Sequence, residues 1–293
     1  MITNSLKSRR DMMRRAALSL VGATLASRFS TLPAGAEKRW FKIGACDWCL
    51  GRADPSCFDV AKDIGLDGVQ VNMGSSGDNL HVRKPEVQEA YRQAAKRTGL
   101  EIGSLALGEL NSVGLAIDPV AAIWLLDTIE VARALGVKVI LMAFFGRAEL
   151  RADDKAGMDR LVAILKELAP RAEKAGVILG LENYLSAVDN VKIMDRVGSP
   201  ALQVYYDVGN STDKGYDILK EIRFLKGRIC EFHAKDGHHL LGKGRIDFRK
   251  VREAMDEIGY GGWIQIEGAA PNGLLPDYKA DLAYLKGIFP LQV

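Results

Sequence analysis

From residue 41 onward, short apolar runs alternate with longer amphipathic ones. The short runs are "FKIGACDW" (41–48), "GVQVNMG" (68–74), "EIGSLALG" (101–108), "KVILMAFF" (138–145), "VILGLENY" (177–184), "LQVYYDVGN" (202–210), "RICEFHAKD" (228–236) and "WIQIEG" (263–268). Their length and β-branched or aromatic content predict strands. Between them, "PEVQEAYRQAAKRTGL" (85–100), "PVAAIWLLDTIEVARALGV" (119–137) and "MDRLVAILKELAPRAEKAGV" (158–177) carry apolar residues at helical spacing. The first two open on a proline, which suits a first helical turn, and all three close on a glycine, which suits a C-terminal cap. Eight strands, each followed by a helix at spacings of roughly 25–40 residues, spell an α/β fold of the closed (β/α)8 barrel type, a TIM barrel. An open doubly wound sheet is the competing arrangement, but no G-x-G-x-x-G follows the first strand. No linker, low-complexity stretch or charge block divides the body, so residues 37–293 read as one domain.

The first 36 residues follow a different rule. Lys7, Arg9, Arg10, Arg14 and Arg15 precede an apolar run from Ala16 to Ala26, and Ala34-Gly35-Ala36 has the small-residue character of a cleavage site. Arg9-Arg10 after Ser8 resembles a twin-arginine export signal, although Met12 and Met13 stand where Phe-Leu is usual. The expectation is a signal peptide over 1–36 and a periplasmic mature protein starting near Glu37. The apolar run is too short to span a bilayer stably, so no lasting membrane insertion is expected after the signal is removed.

Composition narrows the partners. The apolar fraction of 48% is ample for a core, and the 26% of charged residues is ordinary for a soluble domain. Formal net charge is +3, and much of that excess sits in the first fifteen residues. The body is close to neutral, which argues against an extended nucleic-acid surface and leaves small neutral molecules as the easiest ligands. Homo-oligomerisation stays open. Cys46 and Cys49 form a C-x-x-C with no second pair at similar spacing, so zinc is not indicated. Buried thiols are the expectation for these two, for Cys57 and for Cys230, with a Cys46–Cys49 disulfide as the alternative.

Catalytic residues in such barrels sit where strands end. The last four strand runs end in Glu182, Asp207, His233 and Glu267, on neighbouring strands at matching heights. Carboxylates embedded in apolar strands are costly unless something pairs with them, and a divalent cation would offset all three. Three oxygen donors with one imidazole suit Mn2+ or Mg2+ before zinc. Three of the four histidines crowd into 229–248. Of these, His233 ends a strand and is the ligand candidate, His239 is a candidate for substrate contact, and His238 reads as a loop residue. Lys235 and Asp236 are placed to orient hydroxyls or to pair at the rim. Trp48, Phe145, Tyr184 and Tyr206 are candidates to stack on a ligand ring, Glu109 and Asn183 are further polar candidates, and His81, in the loop after the second strand, has a place in the pocket as the alternative to the expected surface position.

The segments "GLEN", "YYDVGN", "EFHAKD…LGKGRIDF" and "QIEG" resemble the xylose isomerase-like barrel superfamily, which includes sugar isomerases, ketose 3-epimerases and type IV apurinic endonucleases. The likeness runs from about residue 41 to 287. It implies that Glu182, Asp207, His233 and Glu267 bind the metal. It also implies that Glu182 and Glu267 move the substrate proton as acid and base around a metal-stabilised enediolate, and that Gly242 and Gly244 shape the loop after strand seven. Two positions depart from the family's epimerases: Asn210 stands where they have a histidine, and His239 where they have an arginine. Both are substrate-contacting positions there. The resemblance therefore implies a metal-dependent sugar isomerase or epimerase, with elimination or hydrolysis on 3-keto-glycosides as the alternative. An apurinic endonuclease would need more than four histidines, and a non-catalytic sugar-binding barrel would not need two carboxylates aimed at one metal.

Overall fold

The structure, a computed structural model, describes residues 41–289. The expected export signal lies outside the described residues. Within them, each apolar run forms a strand: β1 (Lys42–Cys46), β2 (Gly68–Asn72), β3 (Glu101–Leu107), β4 (Val139–Phe144), β5 (Ile178–Asn183), β6 (Leu202–Asp207), β7 (Ile229–Ala234) and β8 (Trp263–Ile266). All neighbours pair in parallel, and β8 returns to β1 to close the barrel. The helices that follow the strands form the outer ring: α1 (Cys57–Ile64), α2 (Pro85–Thr98), α3 (Pro119–Leu135), α4 (Lys155–Ala175), α5 (Ala187–Val197), α6 (Val208–Asp213), α7 (Ile218–Leu225), α8 (Phe248–Glu257) and α9 (Leu274–Ile288).

Local chemistry sets the ends of these elements. In α3 the Asp118 carboxylate accepts from the N–H of Val120 (2.9 Å), Pro119 occupies the first turn, and Gly136 closes the helix in the left-handed conformation. The run expected as strand through Asn210 stops at Asp207, because the Asp207 side chain accepts the N–H groups of Gly209 and Asn210 and so starts α6. Likewise β1 ends at Cys46, where the chain turns and the N–H of Cys49 donates to the Cys46 carbonyl (3.0 Å). The cysteines are free thiols, two of them buried. No helix among the described residues is long and apolar enough to cross a membrane.

The main apolar core fills the layer between strands and helices. The barrel interior is divided instead. Ala106, Val139, Leu141, Ala143 and Tyr205 pack into an apolar half. Gln70, Ser104, Glu231, His233 and Gln265 are buried polar residues on β2, β3, β7 and β8. Such groups are tolerated only when paired. A chain of bonds does much of this: Gln70 donates through Nε2 to Ser104 Oγ and Tyr205 Oη (both 3.0 Å), and the tyrosine hydroxyl donates to Glu231 Oε2 (3.0 Å). That polar layer underlies the site.

Candidate active site

Strands β5 to β8 bring the four strand-end residues together. Asp207 and His233 are cross-strand neighbours in register. One ligand atom each from Glu182, Asp207, His233 and Glu267 lies within 4.8 Å of all the others. His233 Nδ1 is 2.8 Å from Glu182 Oε1, 3.7 Å from Glu267 Oε2 and 4.0 Å from Asp207 Oδ2. Its other nitrogen, Nε2, is 2.8 Å from Gln70 Oε1. The Gln70 amide nitrogen is spent on two oxygens, so its carbonyl faces the ring and the Nε2–H donates to it. Nδ1 is thereby turned to the carboxylates, the arrangement in which a ligating histidine is held by a partner behind it.

The carboxylates are positioned just as specifically. Asp207 Oδ1 is taken by the helix cap at Gly209 (2.7 Å) and Asn210 (2.9 Å), whereas its buried Oδ2 has no hydrogen-bond partner. Glu267 is held from two directions: Trp48 donates its indole N–H to Oε1 (3.2 Å), and Lys235 donates to Oε2 (2.9 Å). Lys235 also lies 3.8 Å from Asp207 Oδ2.

Burial and mutual repulsion oppose the charges here. Burial, then the charges of Glu267 and Glu182, push Asp207 up to about 7. Burial likewise raises Glu182. Burial would depress His233, but Glu182 and Glu267 outweigh it and hold the imidazole at about 9. At Glu267 burial is outweighed by His233 and Lys235, and its carboxyl is lowered. A buried, unpartnered carboxylate oxygen beside two further carboxylates and an imidazole nitrogen is a donor set that fits a hard or borderline divalent cation.

A cavity of about 450 Å³ opens at this end of the barrel, with Glu182 and Glu267 in its wall. Trp48, Glu109 and Phe145 line it. Tyr184 packs edge-on against Phe145, with ring centroids 4.7 Å apart. Tyr206 is not a sugar-stacking residue. It is buried on the helix side of the barrel, where its hydroxyl donates to Glu221 on α7 (2.8 Å).

Three polar candidates lie elsewhere. Asn183 is spent on structure: its Oδ1 accepts from the N–H of Leu185 (2.8 Å) and its Nδ2 donates to Asn190 on α5 (2.9 Å). Asn210 is buried in the first turn of α6 and is not among the cavity-lining residues. His239, expected at the substrate, is exposed on the loop after β7 and does not line the cavity. The reason is Asp236. Its carboxylate accepts the N–H groups of Gly242 (3.0 Å), Gly244 (2.9 Å), Arg245 (2.8 Å) and Ile246 (3.1 Å), folding the loop around itself. A Cβ at Gly244 would meet Asp236 Oδ1 at 2.3 Å, so this approach requires glycine. Asp236 is thus a loop organiser, with Gly242 and Gly244 among its donors.

Sequence reasoning passed over Asp47, Gln70, Asn72 and Asp78. Gln70 had a visible signal, a polar residue flanked by valines in an apolar strand. Asp47 follows β1, beside Trp48, and lines the cavity, with burial pushing its carboxyl up to about 7 against the Asn72 N–H that it accepts. His81, expected at the surface, is in the cavity wall.

Residues 58–288 match the family model described as xylose isomerase-like TIM barrel. Among curated proteins, the 2-epi-5-epi-valiolone 7-phosphate 2-epimerase of an Actinoplanes species is 27% identical over 224 residues, spanning 73% of this chain and 82% of that one. The L-ribulose 3-epimerase of Mesorhizobium japonicum is 28% identical over 233 residues, spanning 74% and 68%. Among solved structures, an L-ribulose 3-epimerase superposes with a TM-score of 0.70 at 20% identity, covering 85% of this chain and 94% of that one. Both curated relatives are named as epimerases.

Proposed function

The chain belongs to the xylose isomerase-like TIM barrel family, and from that membership and its site we propose that it is a metal-dependent sugar epimerase or isomerase. The observation that carries the reading is the cluster of Glu182, Asp207, His233 and Glu267, packed within 4.8 Å at a cavity into which Glu182 and Glu267 face. Mn2+ or Mg2+ held by these four residues would polarise the substrate carbonyl and stabilise the negative charge of an enediolate. The protein's own groups supply the rest. Glu182 comes from β5 and Glu267 follows β8, so two carboxylates approach the cluster from strands separated by β6 and β7. Removal of a carbon-bound proton by one and return by the other inverts a stereocentre, and a shuttle by either moves the carbonyl. Lys235 and Trp48 fix the rotamer of Glu267 through its two oxygens. Trp48 and Phe145 offer ring faces to a sugar and narrow the access of water. The two curated relatives differ in whether the named substrate carries a phosphate, so the name alone does not choose between them.

The test is deuterium incorporation followed by NMR. The protein with Mn2+ in D2O is offered ketoses and 3-keto-glycosides, with Glu182→Gln and Glu267→Gln alongside. Metal-dependent exchange next to the carbonyl, lost in both variants, is the expected result, and an epimerised or isomerised product distinguishes it from elimination. Metal binding without exchange on any sugar would remove the proposal.

A further inference from the structure

The cavity has a second polar end, supplied by the strand ends and loops of β1 to β3 rather than β5 to β8. Asp47 is 1% exposed; its Oδ2 accepts the N–H of Asn72 (2.9 Å), and its Oδ1 has no hydrogen-bond partner. The loop after β2 is wound around Asp78, whose Oδ1 accepts the N–H groups of Ser75 (2.9 Å) and His81 (3.3 Å). Asp78 Oδ2 lies 3.0 Å from His81 Nδ1, and Nε2 of the same ring is buried without a partner. Gly74, at φ +101°, makes room for this pair, since a Cβ there would meet His81 Nδ1 at 2.5 Å. Asp47, Asp78, His81 and Glu109 all line the cavity. Among the described residues that line it there is no lysine or arginine. Lys235 is taken up by Glu267 and Asp207.

The chemistry of these groups selects a ligand. A carboxylate only accepts hydrogen bonds, and an imidazole whose Nδ1–H donates to Asp78 presents an acceptor at Nε2. A sugar hydroxyl can donate to each of them. A phosphate dianion has acceptors alone and adds negative charge to an acidic wall, with no guanidinium or ammonium to receive it. We infer that the β1–β3 end of the cavity, read by Asp47, the Asp78–His81 pair and Glu109, is a subsite for the uncharged, hydroxyl-bearing end of the substrate and keeps phosphorylated sugars out. This rests on the sugar-binding part of the function proposed above and narrows its substrate class.

Binding, not turnover, tests it. The full chain with Mg2+ is titrated with L-ribulose and D-fructose, each against its own phosphate ester (L-ribulose 5-phosphate, D-fructose 6-phosphate), and dissociation constants are taken from saturation-transfer NMR. Each ester is expected to bind at least about tenfold more weakly than its parent, the factor that 1.4 kcal/mol of repulsion imposes. Glu109→Gln, on the half-buried cavity wall, should narrow that gap, and His81→Phe should weaken the parent ketoses. An ester that binds as tightly as its parent overturns the inference, and so does failure of both parent ketoses to bind. Because the readout is affinity, a protein that binds ketoses in this order but exchanges no proton would sink the epimerase reading and leave the subsite standing.

Discussion

Nε2 of His233 donates to Oε1 of Gln70 across 2.8 Å, on the side of the ring turned away from the three carboxylates. Cys46 Sγ donates to the same oxygen at 3.2 Å. The glutamine thereby fixes both the orientation of the ring and the nitrogen it presents to the cluster. Gln70→Leu removes that acceptor and should weaken binding of a divalent cation by about 10–100-fold, the usual effect of losing a partner behind a ligating histidine. Titration with Mn2+ followed by electron paramagnetic resonance measures it, with circular dichroism confirming the fold. An unchanged affinity would mean that packing against Tyr205, whose ring centroid is 4.6 Å away, orients His233 without the amide.

Three carboxylates gathered at one point, two of them raised by burial, favour any cation that relieves them. A metal at about a hundred times its dissociation constant adds about 2.7 kcal/mol to folding. For a barrel of this size that is a rise of about 5–10 °C in melting temperature. Scanning calorimetry with Mn2+ and then with excess chelator should show this difference. Asp207→Asn should lose most of it, since the buried Oδ2 is the oxygen with no hydrogen-bond partner. Equal melting temperatures in metal and in chelator would count against a metal site.

How much of this was legible follows from where the information lies. The strand-end tetrad was legible because each run of apolar residues ends in a group that apolar surroundings do not tolerate alone. The closed barrel was legible from the alternation of runs. Which face a strand residue takes was not, because parallel strands are buried on both sides and adjacent tyrosines look alike in the sequence. Tyr205 faces the polar layer and Tyr206 faces α7, a parity set only by the registers with β5 and β7. The crowding of histidines misdirected attention to His239, whose place depends on the four backbone donors gathered by Asp236. His81 was expected at the surface for the converse reason. Its position depends on an irregular loop with Asn79 and Leu80 at positive φ, a conformation that no periodic pattern announces.

The N-terminal segment carries a prediction of its own. If Arg9-Arg10 and the apolar run form an export signal, the mature protein recovered from the periplasm starts near Glu37. Intact-mass spectrometry reads this directly, and replacing both arginines by lysine should hold the unprocessed chain inside the cell. Recovery of uncleaved chain alone from both compartments would retire the signal reading.

Asp236 sustains the loop after β7 with four hydrogen bonds to backbone N–H groups. Bonds to a charged acceptor are individually stronger than neutral ones, and Asp236→Ala strands all four donors at once. The expected loss is about 3–5 kcal/mol in urea unfolding. Asp236→Asn, which keeps one acceptor oxygen, should fall between. A loss below about 1 kcal/mol in the alanine variant would show that water satisfies the loop as well as the carboxylate does.

Asp281, on α9, ties the same loop to the outer ring by accepting the N–H of Leu241 (2.8 Å), while its other oxygen is buried without a partner. Burial, opposed in part by that N–H and reinforced by Asp277 and Asp236, raises its carboxyl from 3.8 to about 6. The sign follows from linkage. The folded protein holds this proton more tightly than the unfolded chain, so the group contributes most below the unfolded value and its contribution is lost as pH rises from about 4 through about 6. Asp281→Asn keeps an acceptor for Leu241 and abolishes the titration. The stability of the variant relative to the parent should therefore increase by about 1–2 kcal/mol between pH 5 and pH 7.5. Groups remote from Asp281 contribute equally to both proteins and cancel in the difference. A difference that stays flat across that window would mean that the second oxygen is solvated and the loop is anchored without cost.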